Sequence, residues 1–347
     1  MGVTQQEIAG QAGVSPTTVS LVLNGRAEEL NISPECARRV LDTARKLGYR
    51  SNYHARALAR GKATTLGFVN RADGTYGRLF GHTLSSGVER RARELGYDLL
   101  LFGTGEKEGT HLTRGVEGLV EKRVDALLVP YFHGHLIKHD RGRRWPMILI
   151  QSEPGNGYPA VNLDAEPGIR AAVEHLAGLG HRRVLWLGVR APEESWALSR
   201  LSAFREAASE FGVESTHYNV ENPEVFHGKI EDQIERVVNE LRDDLPPLKE
   251  TTAVMCCNDT VALALCAVLR ERGLQVPRDV SVIGFDDLLA SFAVPAMTTV
   301  SHMLPQIGAR AVELALEIME EGREHPYEVE VKVPAELVVR RSTCEPN

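Results

Sequence analysis

The sequence predicts an all-α helix-turn-helix head followed by a two-lobed α/β core built on parallel sheets. Three observations carry this. The first 50 residues hold short helical patterns opened by capping residues and closed by glycines. From Thr65 onward, short continuous apolar runs alternate with helical patterns, as strands buried on both faces do. That alternation runs through two similar rounds, before and after about residue 162, so the core divides into two lobes with a cleft between them.

In the head, Thr4-Gln5-Gln6-Glu7 is a capping-box pattern, and Ile8, Ala9 and Ala12 give the helix it opens a small apolar face. Gly13 supplies a tight turn. Ser15 is a good N-cap, and Pro16 at the first helical position loses no hydrogen bond there. Val19, Val22 and Leu23 then sit at helical spacing and pack back on the first helix. Pro16, Thr17, Thr18, Ser20 and Leu21 are left for the other face; they are small or polar, as a helix pressed against base edges requires. Helix, glycine turn, capped helix is the helix-turn-helix pattern. Ser33-Pro34-Glu35 opens a third helix with Val40, Leu41, Ala44 and Leu47 as its apolar stripe, ended by Gly48. Three such helices make a marginal domain by burial alone, so a small bundle docked on the rest of the chain competes with a DNA-reading head. Residues 51–61 read as a short basic helix, too short to stand alone in water: a plain linker, or a hinge that folds only on DNA.

Charge is unevenly spread. Residues 1–62 carry nine Lys/Arg against five Asp/Glu, about +4; in a chain of net charge −7 the rest is about −11. A basic head on an acidic body fits a head that touches phosphate. Cys36, Cys256, Cys257, Cys266 and Cys344 show no metal spacing, and thiols inside apolar runs point to a reducing, cytoplasmic setting. No secretion signal and no apolar run of about 18 residues is seen, so no membrane partner is expected.

In the core, strands are expected near residues 66–70, 97–102, 126–129 and 147–150, with helices between. The second round places helices at 166–179, 197–211, 229–242 and 260–272 between strands, a crossing near 298–301, a helix over 305–321 and two short closing strands. Ligands of open α/β sheets sit beyond the carboxyl ends of the strands. Those ends here are Asn70, Gly103, Pro130, Gln151, Gly188, Asn258 and Phe285-Asp286-Asp287.

With these residues in place, the stretch Val3–Gly67 closely resembles the headpiece of the lac repressor (LacI/GalR) family. It does so through Ile8-Ala9, Ala12-Gly13-Val14-Ser15, Thr18-Val19-Ser20, Val22-Leu23-Asn24, Leu47-Gly48-Tyr49, Asn52, Ala55 and Ala57-Leu58. Val276 to Asp287, Asn258-Asp259, Gly180-His181 and Arg200 to Phe204 are similar to its core. The resemblance covers residues 3–341. It implies a head at 1–50, a hinge at 51–62, and a periplasmic-binding-protein-like core at 63–341. Lobe 1 would be about 63–162 with 299–325, and lobe 2 about 163–298 with 326–341. It further implies a homodimer or tetramer that binds operator DNA and answers a small-molecule effector. The absence of a heptad pattern after Arg341 argues against a tetramer built on a coiled coil there.

On that resemblance the DNA contacts are Thr4, Ser15, Pro16, Thr17, Thr18, Ser20, Leu21, Asn24, Asn52, Ala55, Arg56 and Leu58, with Leu58 as a minor-groove wedge. Leu21 stands where the family usually has a basic residue. Arg200 and Asp259 match the family's most regular effector contacts; further candidates, read from their places at strand ends or loops, are Arg71, Asp73, Tyr76, Tyr131, Gln151, Trp196, Asp287 and His302. A guanidinium and a carboxylate suit a hydroxyl-rich ligand, so a sugar is the default. Each has an ordinary reading too: a solvated helix arginine, and an aspartate capping the helix at 260–272. No cofactor or metal is expected, since His133, His135 and His139 have no acidic or cysteine partner at helical spacing.

An enzyme reading lacks its motifs: there is no P-loop and no GxSxG elbow, and Gly103-Thr104-Gly105 lacks GxGxxG spacing. Asp286-Asp287 as an acid pair is the remaining feature on that side. A transporter's solute-binding protein would share the core but not carry the basic head. The expectation is a repressor of carbohydrate-utilisation genes, released from its operator by a sugar-like ligand. Its alternatives are a corepressor-dependent regulator sensing a nucleobase or phosphorylated metabolite, or a solute-binding protein.

Overall fold

The computed structural model describes residues 3–28, 30–49, 62–69, 74–103, 110–130, 146–152, 157–190, 196–221, 229–248, 250–321 and 329–347, with backbone alone at 74–78, 110–111 and 321. They form two compact units, Met1–Thr64 and Thr65–Asn347. The expected hinge lies almost wholly outside the described residues.

The first unit packs α1 (Gln5–Ala12), α2 (Pro16–Leu23) and α3 (Pro34–Lys46). Ile8, Ala9, Ala12, Val19, Val22, Val40 and Ala44 form its buried centre. Gly13 takes the left-handed conformation (φ 65°) that lets the chain turn from α1 into α2. Arg39 Nε donates to the Ala12 carbonyl at 2.9 Å, tying α3 to the end of α1. One expectation needs correction: Leu41 is not in the stripe and is 44% exposed. A helix turns about 100° per residue, so the line through Val40, Ala44 and Leu47 is completed by Ala37, and Leu41 falls off its edge.

The second unit contains two six-stranded sheets. The first holds β1 (Thr65–Val69), β2 (Asp98–Phe102), β3 (Ala126–Pro130), β4 (Met147–Ile150), β5 (Ala160–Asp164) and β11 (Glu330–Pro334), in the order β11-β5-β4-β3-β1-β2. Helices α4 (Gly74–Glu94) and α10 (Leu304–Glu321) cover one face through Leu84, Val88, Ile307 and Ala311. Helix α5 (Thr110–Val120) covers the other through Leu112 and Leu119. Glycines permit the closest approach between α4 and α10. A Cβ on Gly87 would sit 2.1 Å from the Pro305 carbonyl oxygen, and one on Gly308 2.6 Å from that of Leu84.

The second sheet holds β6 (Arg183–Val189), β7 (Glu214–Val220), β8 (Ala253–Cys256), β9 (Ser281–Asp286), β10 (Thr298–Ser301) and β12 (Glu336–Val338), in the order β12-β10-β9-β8-β6-β7. All its neighbours are parallel except β10 and β12. Helices α6 (Glu166–Leu179), α7 (Trp196–Glu210), α8 (Ile230–Asp244) and α9 (Asp259–Glu271) flank it and bury Ile169, Phe204, Val237 and Leu265.

The expected lobe boundaries are corrected by strand pairing. Residues 163–164 belong to β5 of the first sheet, 299–301 to β10 of the second, and 330–334 to β11 of the first. The chain therefore changes sheets near 165, 302 and 335. Apolar patterning marks a strand, but its backbone partners choose the sheet. The crossings lie together: Ala335 N–H donates to the Asp164 carbonyl at 2.8 Å. Gly168 leaves room beside Val300 and Ala335, where a Cβ would come within 2.5 and 2.7 Å.

Candidate functional site

Two sets of residues were expected to act, one in each unit. In the head, the capping box forms as the sequence implies. Glu7 N–H donates to Thr4 Oγ1 at 3.3 Å, and Thr4 N–H donates to Glu7 Oε2 at 2.7 Å. Ser15 caps α2 by accepting from Thr18 N–H at 3.1 Å, and the Ser15 and Thr18 hydroxyls lie 2.9 Å apart. Val19 and Val22 turn inward. Thr4, Ser15, Pro16 and Thr17 are exposed; Thr18, Ser20, Leu21 and Asn24 are half-buried. Asn24 Nδ2 donates to Ser20 Oγ at 3.4 Å. Asn52, Ala55, Arg56 and Leu58 lie outside the described residues.

In the core, a polar cluster assembles where β4, β8 and β9 end. Arg200, on the second turn of α7, is buried. Its Nη1 donates to the Cys257 carbonyl at 2.8 Å, and its Nη2 lies 3.5 Å from Asp286 Oδ1. The guanidinium carbon is 3.6 Å from the Phe285 ring centroid and 4.7 Å from that of Trp196. Two aromatic faces thus offset part of the cost of taking this cation out of water.

His302 joins the same carboxylate, with Nδ1 3.0 Å from Asp286 Oδ1. Its Nε2 is 3.1 Å from Gln151 Nε2, and Gln151 Oε1 accepts from Leu163 N–H at 3.4 Å. These contacts are all satisfied by a neutral imidazole protonated on Nδ1, donating to Asp286 and accepting from the Gln151 amide. Burial lowers the His302 pKa, against the opposing pull of Asp286. Gln151 (φ 52°), Asp286 (φ 101°), Asp287 (φ 58°) and Met303 (φ 50°) hold left-handed backbone although none is glycine. Such costly conformations persist where the surroundings over-determine them, as they do at binding and switch sites.

Two expected effector contacts have other work. Asp259 is fully buried. Its Oδ2 accepts from the N–H groups of Leu288, Leu289 and Ala290 at 2.8, 2.9 and 3.2 Å, and its Oδ1 accepts from Thr299 Oγ1 at 2.9 Å. The carboxylate is consumed by the turn after β9. Nor does it cap α9; Asn258 does, accepting from Val261 N–H at 2.8 Å. Burial and the charge of Asp286 push the Asp259 carboxyl up to about 7. Asp287 pairs with Arg340 at 2.7 Å.

Of the expected candidates the structure brings Arg200, Trp196, His302 and Gln151 together, and it adds Asp286 and Phe285. Asp73 and Tyr131 lie outside the described residues, as does the side chain of Tyr76. Asp286 was legible only as one of two adjacent strand-end carboxylates. Regular strand alternation cannot choose between them once both adopt positive φ. Among the described residues no His/Cys/Asp/Glu group is arranged to hold a metal. Burial pushes the Cys257 and Cys266 thiols up to about 12, so these two are not nucleophiles. No helix among the described residues is long and apolar enough to cross a membrane.

Comparison with known proteins bears on both units. Residues 4–52 match the family model described as bacterial regulatory proteins, lacI family, and residues 173–343 that of a periplasmic binding protein-like domain. The chain is 32% identical over 353 residues to the HTH-type transcriptional repressor PurR of Pasteurella multocida (strain Pm70), an alignment covering 98% of each protein. Its fold is similar to that of a lac repressor dimer bound to operator and the anti-inducer ONPF. The TM-score is 0.74 at 22% identity, over 99% of this chain and 100% of that one. It is also similar to a complex of the transcriptional regulator CelR with cellobiose. There the TM-score is 0.59 at 25% identity, over 98% and 99% of the two chains.

Proposed function

Because this chain belongs to the lacI family of bacterial regulatory proteins, we propose that it represses carbohydrate-utilisation genes until a neutral sugar-like effector releases it from its operator. It is a DNA-binding transcriptional regulator and not an enzyme. In this reading two copies present their heads to a pseudo-palindromic operator in the cytoplasm, with α2 in the major groove and Leu58 wedged into the minor groove. An effector acts by favouring one of two arrangements of the core.

The observation that carries the effector class is the charge balance at Arg200. Its guanidinium is already matched by Asp286 and faced by Phe285 and Trp196. Among the described residues this cluster offers no spare cation for a phosphate. In this reading the Arg200 guanidinium and the Asp286 carboxylate exchange their contact with each other for a sugar's hydroxyls, and the exposed Trp196 ring packs on the sugar's face. The relative described with cellobiose supports the same class.

Thermal melting against a panel of neutral sugars, sugar phosphates and nucleobases tests this. A ligand that binds only the folded state raises Tm with concentration. A hit among neutral sugars that also lowers operator affinity is expected. A hit confined to phosphates or nucleobases, or one that tightens operator binding, overturns the sugar-induced reading.

A further inference from the structure

We infer that α2 selects its operator through thymine methyl groups, with Pro16, Thr17 and Leu21 as the selecting side chains; this rests on the reading of the head as an operator binder. The strongest base readers in the major groove are bidentate: Arg or Lys on guanine, Asn or Gln on adenine. Residues 15–23 read Ser-Pro-Thr-Thr-Val-Ser-Leu-Val-Leu and contain none of them. Asn24 is at the C-cap of α2, away from the N-terminal residues that meet base edges, and its amide donates to Ser20 Oγ.

The hydroxyls on this helix are largely engaged within the head. Ser15 Oγ accepts from Thr18 N–H, and the Ser15 and Thr18 hydroxyls bond each other. Ser20 Oγ receives the Asn24 amide. Pro16 has no backbone N–H, and Val19 and Val22 are buried. What remains outward is the Pro16 ring and Thr17, both exposed, with half-buried Leu21 one turn on. That surface is mostly carbon. On the floor of the major groove the one apolar group a base pair presents is the thymine C5-methyl. Phosphate contacts add affinity but carry no choice among bases.

The test uses the full-length protein and a pool of duplexes with a randomised core, enriched by repeated binding at moderate salt. Each thymine of the enriched site is then replaced singly by deoxyuridine, which removes the methyl and nothing else. The DNA is altered, so the protein's folding is not at issue. One or two thymines per half-site are expected to lose about fourfold in affinity each, the value of one buried methyl, while the others lose nothing. Leu21→Arg is expected to move the enriched sequence toward guanine at one position. An enriched site whose affinity is blind to every deoxyuridine overturns the methyl reading and leaves operator binding standing. No enrichment over bulk DNA overturns operator reading by the head, and this inference with it.

Discussion

His302 and Asp286 are bonded side chain to side chain across neighbouring strand ends, with Nδ1 to Oδ1 at 3.0 Å. Both are buried. Asp286 ends β9, and His302 follows β10 at the point where the chain leaves the second sheet for the first. Through Gln151 at the end of β4, the same imidazole reaches the first sheet. One side chain therefore holds the ends of both sheets together.

This contact predicts a pH dependence. The folded pKa of His302 is lowered, chiefly by burial. A histidine with a depressed folded pKa contributes stability that is present above its unfolded value, about 6.5, and is lost as pH falls toward the folded one. Protonation also places an N–H on Nε2 against the amide N–H of Gln151. Urea unfolding of wild type and His302→Asn at pH 8 and pH 5.5 should show the wild type losing more stability on acidification. Parallel losses would show that His302 is not the group involved. His175 and His181 are lowered as well and contribute to both proteins alike.

Asp259 predicts the opposite sign. Its carboxyl is raised to about 7, so the folded protein holds its proton more tightly than the unfolded chain does. Stability from this group is greatest below about 3.9 and declines as pH rises toward 7. Relative to Asp259→Asn, the wild type should gain stability as pH falls from 8 to 5. A flat difference would count against a raised carboxyl.

The two Asp259 substitutions should themselves differ. Asparagine keeps an oxygen for the three N–H groups of residues 288–290 and turns its amide toward Thr299. Alanine strands all three donors. Asp259→Ala should cost about 3 kcal/mol or more in chemical denaturation, and Asp259→Asn clearly less. Equal costs would mean that the turn does not depend on this oxygen.

Gly308→Ala should destabilise by about 1–3 kcal/mol, because its Cβ would meet backbone atoms of α4 at 2.6 and 2.9 Å and push the two helices apart. Gly178→Ala makes the contrast: nothing lies within 4 Å of its Cβ, and the helix gains about 1 kcal/mol. Thermal melting of the two variants should move in opposite directions.

Leu58→Ala should weaken operator binding tenfold or more while the melting of the core stays in place, since an inserted apolar wedge acts only on DNA. Unchanged affinity for the enriched duplex would remove the wedge from the proposed mechanism.

Much of this was readable from the sequence because it is local. The capping box at Thr4–Glu7, the Ser15-Pro16 start of α2 and the Gly13 turn depend on side chains and φ angles within a few residues. Apolar runs such as Leu66–Val69 and Val282–Phe285 identify themselves as buried strands for the same reason. Arg200 could be singled out through the family resemblance, and His302 by its place where the chain recrosses. What the sequence alone could not decide is non-local. Whether Thr298–Ser301 and Glu330–Pro334 join one sheet or the other is set by backbone partners far along the chain. Of the three neighbouring carboxylates, Asp286 faces Arg200, Asp287 pairs with Arg340, and Asp259 serves the turn after β9. A buried charge must be met by whatever cation or donor the fold places beside it, and only the tertiary structure assigns that neighbour.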